Sequence, residues 1–485
     1  MTTVAAEAPP RYDTLLVGGE LVAADPVHPL VSPSTERPVA TVPLATTEQA
    51  DAAVAAARAA FDDGPWPAMS IQERAGYLTR IADMVEAEAD DIARAATGEM
   101  GAPLSMSRGM HAGGLGIWRD AAALGAAMGA TAELEEVRRW DGGWAEIIRE
   151  PVGVVLGIPS WNGPPHNMAL KAAQPLLAGC PVILKLTPQM GLTAERFSRI
   201  FAGAGLPPGV VSVLPADVPV TEQLVRHPGV DKVSFTGSTA VGRTIMALCA
   251  ERIARVTLEL GGKSAAIVMP DLDPRPELAR TIVGGIVNSG QVCTANTRIL
   301  LPRHRHDEWL DALVAALETV RVGDPFDDAT EMGPLVTDRQ RDRVEGYIAL
   351  GKDAGARLVY GGGRPADLPV GWYVEPTLFD RVDSGMRIAQ EEIFGPVLSV
   401  LDYDGEDDAV ALANDTPYGL AASVFTDDDD TARRVARRLR IGVVRVNSIA
   451  NRPSLPFGGF KQSGIGREGG REGLEAYLEV KQVKF

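Results

Sequence analysis

The sequence is poor in cysteine, histidine, aromatic residues and positive charge. Three cysteines occur in 485 residues, Cys180, Cys249 and Cys293. An odd, small number excludes a disulfide framework and points to a reducing compartment. No Cys-x-x-Cys pair exists and the six histidines show no metal-ligand spacing, so no metal site is expected. Basic residues number 47 against 64 acidic ones, a formal net charge of −17. Nucleic-acid binders need a basic footprint, so that class is excluded. The basic cluster from Arg433 to Arg440 reads as one face of a helix, and Asp427–Asp430 as a solvated turn and helix start. No apolar run approaches the roughly 20 residues of a bilayer span. Met1 to Pro10 lacks a charged start followed by an apolar core, so no secretory signal is expected. These absences predict a cytoplasmic protein with no membrane partner.

What is present is ordinary globular material, 45% hydrophobic and 23% charged. The length fits about three domains or one large bilobed body. Residues 1–45 are rich in Pro, Val and Thr and read as short strands and turns. Thr46 to Phe61 is Ala-rich with helical periodicity and stops at Gly64-Pro65. Ser70 followed by Glu73 is a capping-box signature for a long helix to about Met100, and a further helical stretch runs to about Gly129. Residues 131–150 alternate polar and apolar, as an extended ribbon does.

After Pro151, short apolar runs at Val152–Ile158, Val182–Leu186, Val210–Leu214 and Val230–Phe235 alternate with helical segments such as Met168–Leu177 and Ala194–Ala202. That pattern implies an α/β fold with a parallel, doubly wound sheet. Residues 254–269 read as strand, glycine turn, strand. A second α/β lobe follows, with helices at about 274–289, 306–319 and 337–354 and strands at 297–301 and 397–402. The tail Gly473–Phe485 alternates well enough to pair as a strand with residues 131–150.

Six segments carry residues suited to chemistry. Cys293 stands in Asn288-Ser-Gly-Gln-Val-Cys293, before an expected strand. Its small polar neighbours leave the sulfur approachable, whereas Cys180 and Cys249 read as buried small hydrophobes. Glu259 lies inside an apolar strand, followed by Leu260 and two glycines. Either it pairs with a cation, or burial raises its pKa into the range of a general base. Phe235-Thr-Gly237-Ser238 joins a strand to a helix start, a ready anion site, though it is not the Gly-x-Gly-x-x-Gly fingerprint. Lys185 ends a strand, where it either is simply solvated or meets a ribose or phosphate. Trp161-Asn162 follows the strand that ends at Ile158, and an Asn amide there can donate to an oxyanion. Glu391-Glu392-Ile-Phe394-Gly-Pro396 is an acidic and aromatic turn.

Taken in order, these segments, together with Pro456-Phe457-Gly-Gly-Phe-Lys-Gln-Ser-Gly-Ile-Gly-Arg-Glu468, resemble the aldehyde dehydrogenase superfamily across nearly the whole chain. The resemblance implies a Rossmann-like cofactor domain over 1–130 and 151–261 and a catalytic domain over 262–466. It also implies an oligomerisation segment from 131–150 and 467–485, building homodimers or homotetramers. By position, Cys293 matches the nucleophile, Asn162 with the Cys293 amide the oxyanion hole, and Glu259 the general base for thioester hydrolysis. Lys185 and Glu392 match the residues on the two riboses, Phe394 the one flanking the nicotinamide, and Gly237 and Ser238 the pyrophosphate site. Ile158, Trp161 and Leu260 complete the cofactor site. The implied activity is oxidation of a small-molecule aldehyde to the acid with NAD.

The sequence departs from the family in two places. Pro188 stands where many NAD-preferring members place a glutamate that binds ribose hydroxyls, which leaves NADP possible. The usual Pro-Trp-Asn-Phe is Ser160-Trp161-Asn162-Gly163 here. Residues expected along the substrate tunnel are Gly163, Asn167, Leu170, Val287, Val292, Thr294, Asn451 and Phe457. Several are small or polar, so a wide, weakly aromatic tunnel is expected, with Arg452 a weak candidate for an acidic substrate. Two competing readings are a CoA-acylating relative, against which Glu259 counts, and a non-catalytic binding derivative, against which Cys293, Glu259 and Asn162 count.

Overall fold

The structure, a computed structural model, describes residues 9–131 and 134–485. The reading of Met1 to Pro10 falls almost wholly outside the described residues, as do residues 132–133 of the expected ribbon.

Two sheets organise the chain. The first has eight strands in the order Glu20–Ala23, Thr14–Val17, Val211–Pro215, Val182–Leu186, Val155–Ile158, Lys232–Thr236, Arg255–Glu259 and Gly464–Ile465. The five strands from Val211–Pro215 to Arg255–Glu259 run parallel. Helices cover both faces, so the central strands are buried throughout and read as unbroken apolar runs. Helices Pro164–Ala178 and Gly191–Gly203 pack on one face through Met168, Leu176 and Phe197. Helices Thr47–Asp62 and Val218–Arg226 pack on the other through Val54 and Leu224. After Val155–Ile158 the chain adds two strands on one side, then returns to add Lys232–Thr236 and Arg255–Glu259 on the other. This reversal opens a crevice beyond the carboxyl ends of Val155–Ile158 and Lys232–Thr236, the place where open α/β sheets take ligands. Gly464–Ile465, from a segment expected in the second lobe, pairs antiparallel with Leu258 and Glu259 at the edge of the first sheet.

The second sheet has seven strands in the order Arg357–Tyr360, Thr377–Asp380, Val397–Tyr403, Asn296–Pro302, Ser264–Val268, Ala421–Phe425 and Val443–Val446. All neighbours are parallel except the edge strand Arg357–Tyr360. A three-stranded ribbon stands apart from both sheets. In it Gly143–Pro151 pairs with Glu135–Trp140 and with the tail strand Leu478–Lys484, so the tail does return to the ribbon. No helix among the described residues is long and apolar enough to cross a membrane, and no group of three or more His, Cys, Asp or Glu among them can hold a metal.

Local signals hold where side chains cap backbone. Ser70 Oγ accepts from the Glu73 amide at 3.2 Å, and Glu73 accepts from the Ser70 amide at 2.8 Å. The helix expected from Ser70 to about Met100 is instead two, Ile71–Ala87 and Ala89–Met100, divided at Glu88. Turning there lets Ile92, Ala93 and Ala96 reach the core. Of the helix expected over 274–289, the α-helical part stops at Ile282. Beyond it Val287 is extended, and Asn288 and Ser289 are left-handed, with φ of +54° and +55°. That turn is strained for non-glycine residues and is held by side-chain bonds at the site.

Candidate active site

The crevice at the strand reversal is a cleft of about 810 Å³. It gathers Trp161 and Asn162 from beyond Ile158, Gly237 and Ser238 from beyond Thr236, and Glu259 and Leu260 from the end of the next strand. The second lobe contributes Cys293, Glu392 and Phe394. Cys293, Glu259 and Asn162 thus line one cleft, although Asn162 and Cys293 come from different lobes.

Asn162 is fixed from three directions. Its Oδ1 accepts from Ser160 Oγ at 2.7 Å and from Asn167 Nδ2 at 3.2 Å, which sets which end of the amide is the donor. Its Nδ2 donates to the Gln291 carbonyl at 2.8 Å, two residues before Cys293. Its own carbonyl accepts from Asn288 Nδ2 at 3.0 Å, across the left-handed turn. The Cys293 loop is therefore laced directly to the Asn162 turn.

Cys293 is half-buried. Burial, and then the charges of Glu392 and Glu259, push its thiol up to about 12. Nearby amides do favour the thiolate, but the carboxylates and burial outweigh them. Attack from this thiol needs a proton acceptor.

Glu259 lines the same cleft. Its carboxyl is 3% exposed, and neither oxygen has a hydrogen-bond partner. Burial raises its pKa well above the ordinary carboxylate range, and the charge of Glu468 adds to that rise. The backbone of Glu259, by contrast, is firmly tied. Its carbonyl accepts from the Gly237 amide at 3.0 Å, and it stands in register with Thr236 on one side and Gly464 on the other. Gly458 makes room for the carboxyl, since a Cβ there would lie 2.7 Å from Glu259 Oε1.

The cleft fits a dinucleotide. Glu392 is held above the carboxylate range, at about 7, by burial, and accepts from the Gly262 amide at 3.2 Å. Phe394 meets Trp161 edge to face at 5.4 Å, an aromatic wall for a flat ring. Ser238 caps helix Thr239–Ala250, whose amino-terminal end opens into the cleft. Gly237 lines the cleft too, but its amide is already bonded to Glu259 and cannot serve a phosphate. Ile158 and Lys185 sit in the sheet, 4% and 6% exposed, rather than on the cleft wall. Burial brings the Lys185 amine down to about 8, against the pull of Asp217. Two residues on, the buried Thr187 hydroxyl has no partner, so this strand end has polar groups to offer a ligand.

The eight residues expected along a tunnel lie outside the lining of the large cleft. Gly163 faces Asn167 and Met110 across 3.6–3.7 Å from the position a Cβ would take. Leu170 lines a separate cavity of about 220 Å³ with Ile117, Ala121 and Gln174. Asn451 Nδ2 donates to Thr294 Oγ1 at 3.4 Å, and Phe457 pairs backbone to backbone with Glu468. Val287 is exposed and Val292 half-buried.

Three groups escape the sequence. Lys171 and Glu468, both buried, form an ion pair joined by Ser234, whose Oγ lies 3.1 Å from the ammonium. A lysine inside the apolar run of helix Pro164–Ala178 is the signal that could have found it. Gln340 and Arg343 line the cleft from helix Asp338–Asp353, and their partners are backbone carbonyls that no motif reveals. Lys263 is 2% exposed with an unpartnered amine, brought down to about 7 by burial.

A doubly wound sheet whose switch-point cleft holds a cysteine, a buried carboxyl and a fixed amide has the layout of a dinucleotide-binding oxidoreductase of the Rossmann class. The description "Aldehyde dehydrogenase family" matches residues 22–483. Geranial dehydrogenase of Castellaniella defragrans is 42% identical over 476 residues, covering 97% of this chain and 98% of that protein. A Mycobacterium tuberculosis aldehyde dehydrogenase complexed with NAD+ superposes with a TM-score of 0.94 at 42% identity, covering 98% of both chains. Aldehyde dehydrogenase C of Pseudomonas syringae, solved with NAD+ and octanal, gives 0.92 at 39% identity, covering 97% of this chain and 96% of that one. The chain belongs to the aldehyde dehydrogenase family.

Proposed function

We propose that this enzyme oxidises an aldehyde to the free carboxylic acid with NAD, through a thioester on Cys293 that Glu259 helps hydrolyse. The observation that carries the reading is the meeting of Cys293, Glu259 and Asn162 in the switch-point cleft. Glu259 takes the thiol proton, and the sulfur of Cys293 adds to the aldehyde carbon to give a tetrahedral thiohemiacetal. The Asn162 amide, oriented by Ser160 and Asn167, donates to the developing oxyanion with the Cys293 amide. Bound NAD supplies the electron acceptor for hydride loss from that carbon, leaving the thioester on Cys293. Glu259 passes the thiol proton to bulk water and then draws a proton from a water that attacks the thioester, and the adduct expels the Cys293 thiolate to release the acid. The free, buried carboxyl of Glu259 favours hydrolysis over transfer to CoA.

Glu392 and Lys185 are assigned to the riboses, Ser238 to the pyrophosphate, and Trp161 and Phe394 to the nicotinamide. Pro188 offers no charge against a 2′-phosphate, but the Asp217 charge stands within reach of Lys185, which favours NAD. The domain limits are taken from the sequence, except that Gly464–Ile465 joins the first sheet. The ribbon, with Val137, Trp140, Val480 and Phe485 exposed, is assigned to homo-oligomer contacts, and the protein to the cytoplasm. The geranial in the name of one relative and the octanal bound to another support apolar aldehydes bulkier than acetaldehyde.

The test is formation of reduced cofactor by the purified protein with an aldehyde panel, NAD and NADP side by side, and Cys293→Ser as control. Turnover that survives in Cys293→Ser, or none in the wild type, overturns the mechanism. A CoA requirement for product release assigns it to the acylating class. Strong preference for acetaldehyde refutes the wide tunnel.

A further inference from the structure

The turn that carries Glu392 and Phe394 is built in an unfavourable shape. Phe394 has φ of +60°, a conformation that bulky residues avoid. Such strain persists only where surrounding bonds over-determine it. Here they come from one helix, Asp338–Asp353. Gln340 Nε2 donates to the Phe394 carbonyl at 2.8 Å and to that of Ile393 at 3.3 Å. The Arg343 guanidinium donates to the Glu392 carbonyl at 2.6 Å and to that of Ile393 at 3.2 Å. Three consecutive carbonyls are thus held by two side chains one helical turn apart. The same helix is joined to the Cys293 loop, because the Val336 amide just before it donates to Gln291 Oε1 at 3.0 Å.

We propose that Gln340 and Arg343 are positioning residues that hold the Glu392–Phe394 turn in register with Cys293 for the redox half-reaction. The inference rests on the function proposed above. Without the clamp, Phe394 relaxes out of its left-handed shape and takes Glu392 with it. The nicotinamide half of the cofactor site loses its geometry, while the adenosine half, built on Lys185 and Ser238, is untouched. A displacement of about 1 Å at reacting atoms costs on the order of 100-fold in rate.

The experiment compares wild type with Gln340→Ala, the isosteric Gln340→Glu, Arg343→Ala and Arg343→Lys. Three readouts are taken. These are hydrogen exchange of amides 391–397 in the cofactor-free protein, calorimetric affinity for NAD, and the isotope effect on kcat with aldehyde deuterated at its carbonyl carbon. Expected are exchange in the turn faster by about tenfold or more, NAD affinity weakened together with it because Glu392 leaves its place, and a larger isotope effect, with Arg343→Lys partly restored. Unchanged exchange and isotope effect in folded variants overturn the proposal. So does a large loss of NAD affinity with unchanged exchange, which makes the two residues direct cofactor ligands. If the wild type oxidises no aldehyde, the functional reading fails, and the exchange data alone then decide whether the clamp exists.

Discussion

Gly290 and Gly395 touch backbone to backbone: a Cβ on Gly290 would lie 2.0 Å from the Gly395 carbonyl oxygen. Gly290 belongs to the Cys293 loop and Gly395 to the turn bearing Glu392 and Phe394, so the nucleophile and the cofactor wall share one contact. Gly290 also has φ of +70°. Gly290→Ala therefore meets both a clash and an unfavourable conformation, and is expected to cost about 1–3 kcal/mol of stability. Chemical denaturation checks this, and a variant as stable as wild type refutes the contact.

Glu259→Gln keeps the shape of the side chain and removes the base. Release of the acid is expected to slow by about 10²–10⁴-fold. Because Glu259 also takes the thiol proton in the proposed sequence, acylation slows too, and rapid-mixing traces separate the two steps. Hydrolysis at the wild-type rate would remove Glu259 from the mechanism.

The pH dependence of cofactor binding follows from Glu392. A carboxylate accepts ribose hydroxyls best when ionised, and burial holds this group at about 7. It is largely protonated below that value and ionised above it. NAD affinity should therefore strengthen as pH rises from about 6 to about 8, and Glu392→Gln should flatten the profile. Calorimetric titrations across that range decide it.

Removing Glu468 should act on both stability and catalysis. It leaves Lys171 as a buried, unpaired cation, a change that costs about 3–5 kcal/mol, while Lys171→Met with Glu468→Leu costs less. Glu468→Gln also removes the negative charge that helps raise Glu259. Glu259 then ionises at lower pH, and the acid limb of the hydrolysis profile moves to lower pH. A limb that stays in place or moves upward contradicts this coupling.

The strand ends, the glycine turns and the site segments were legible because each is a local pattern. An apolar run, then a polar residue at a strand's carboxyl end, placed Asn162, Ser238 and Glu259 correctly on the crevice. What was not legible depends on distant partners. Lys171 and Glu468 are 297 residues apart, and Arg343 meets a backbone carbonyl 49 residues away. The helix expected over 274–289 keeps helical turns as far as Ile286 and leaves them at Val287 to Ser289, where Asn288 bonds to the Asn162 turn. The carboxylates that push the Cys293 thiol up likewise arrive from other elements.

Glu259 divides its labour between its two halves. Its main chain is tied to Gly237 and aligned with Thr236 and Gly464, while its carboxyl touches no bonding partner. The frame of the site therefore does not depend on the chemistry of that side chain. In the proposed mechanism, hydrolysis is a detachable property of this architecture. One substitution at this position can change what accepts the acyl group and leave the walls around it standing.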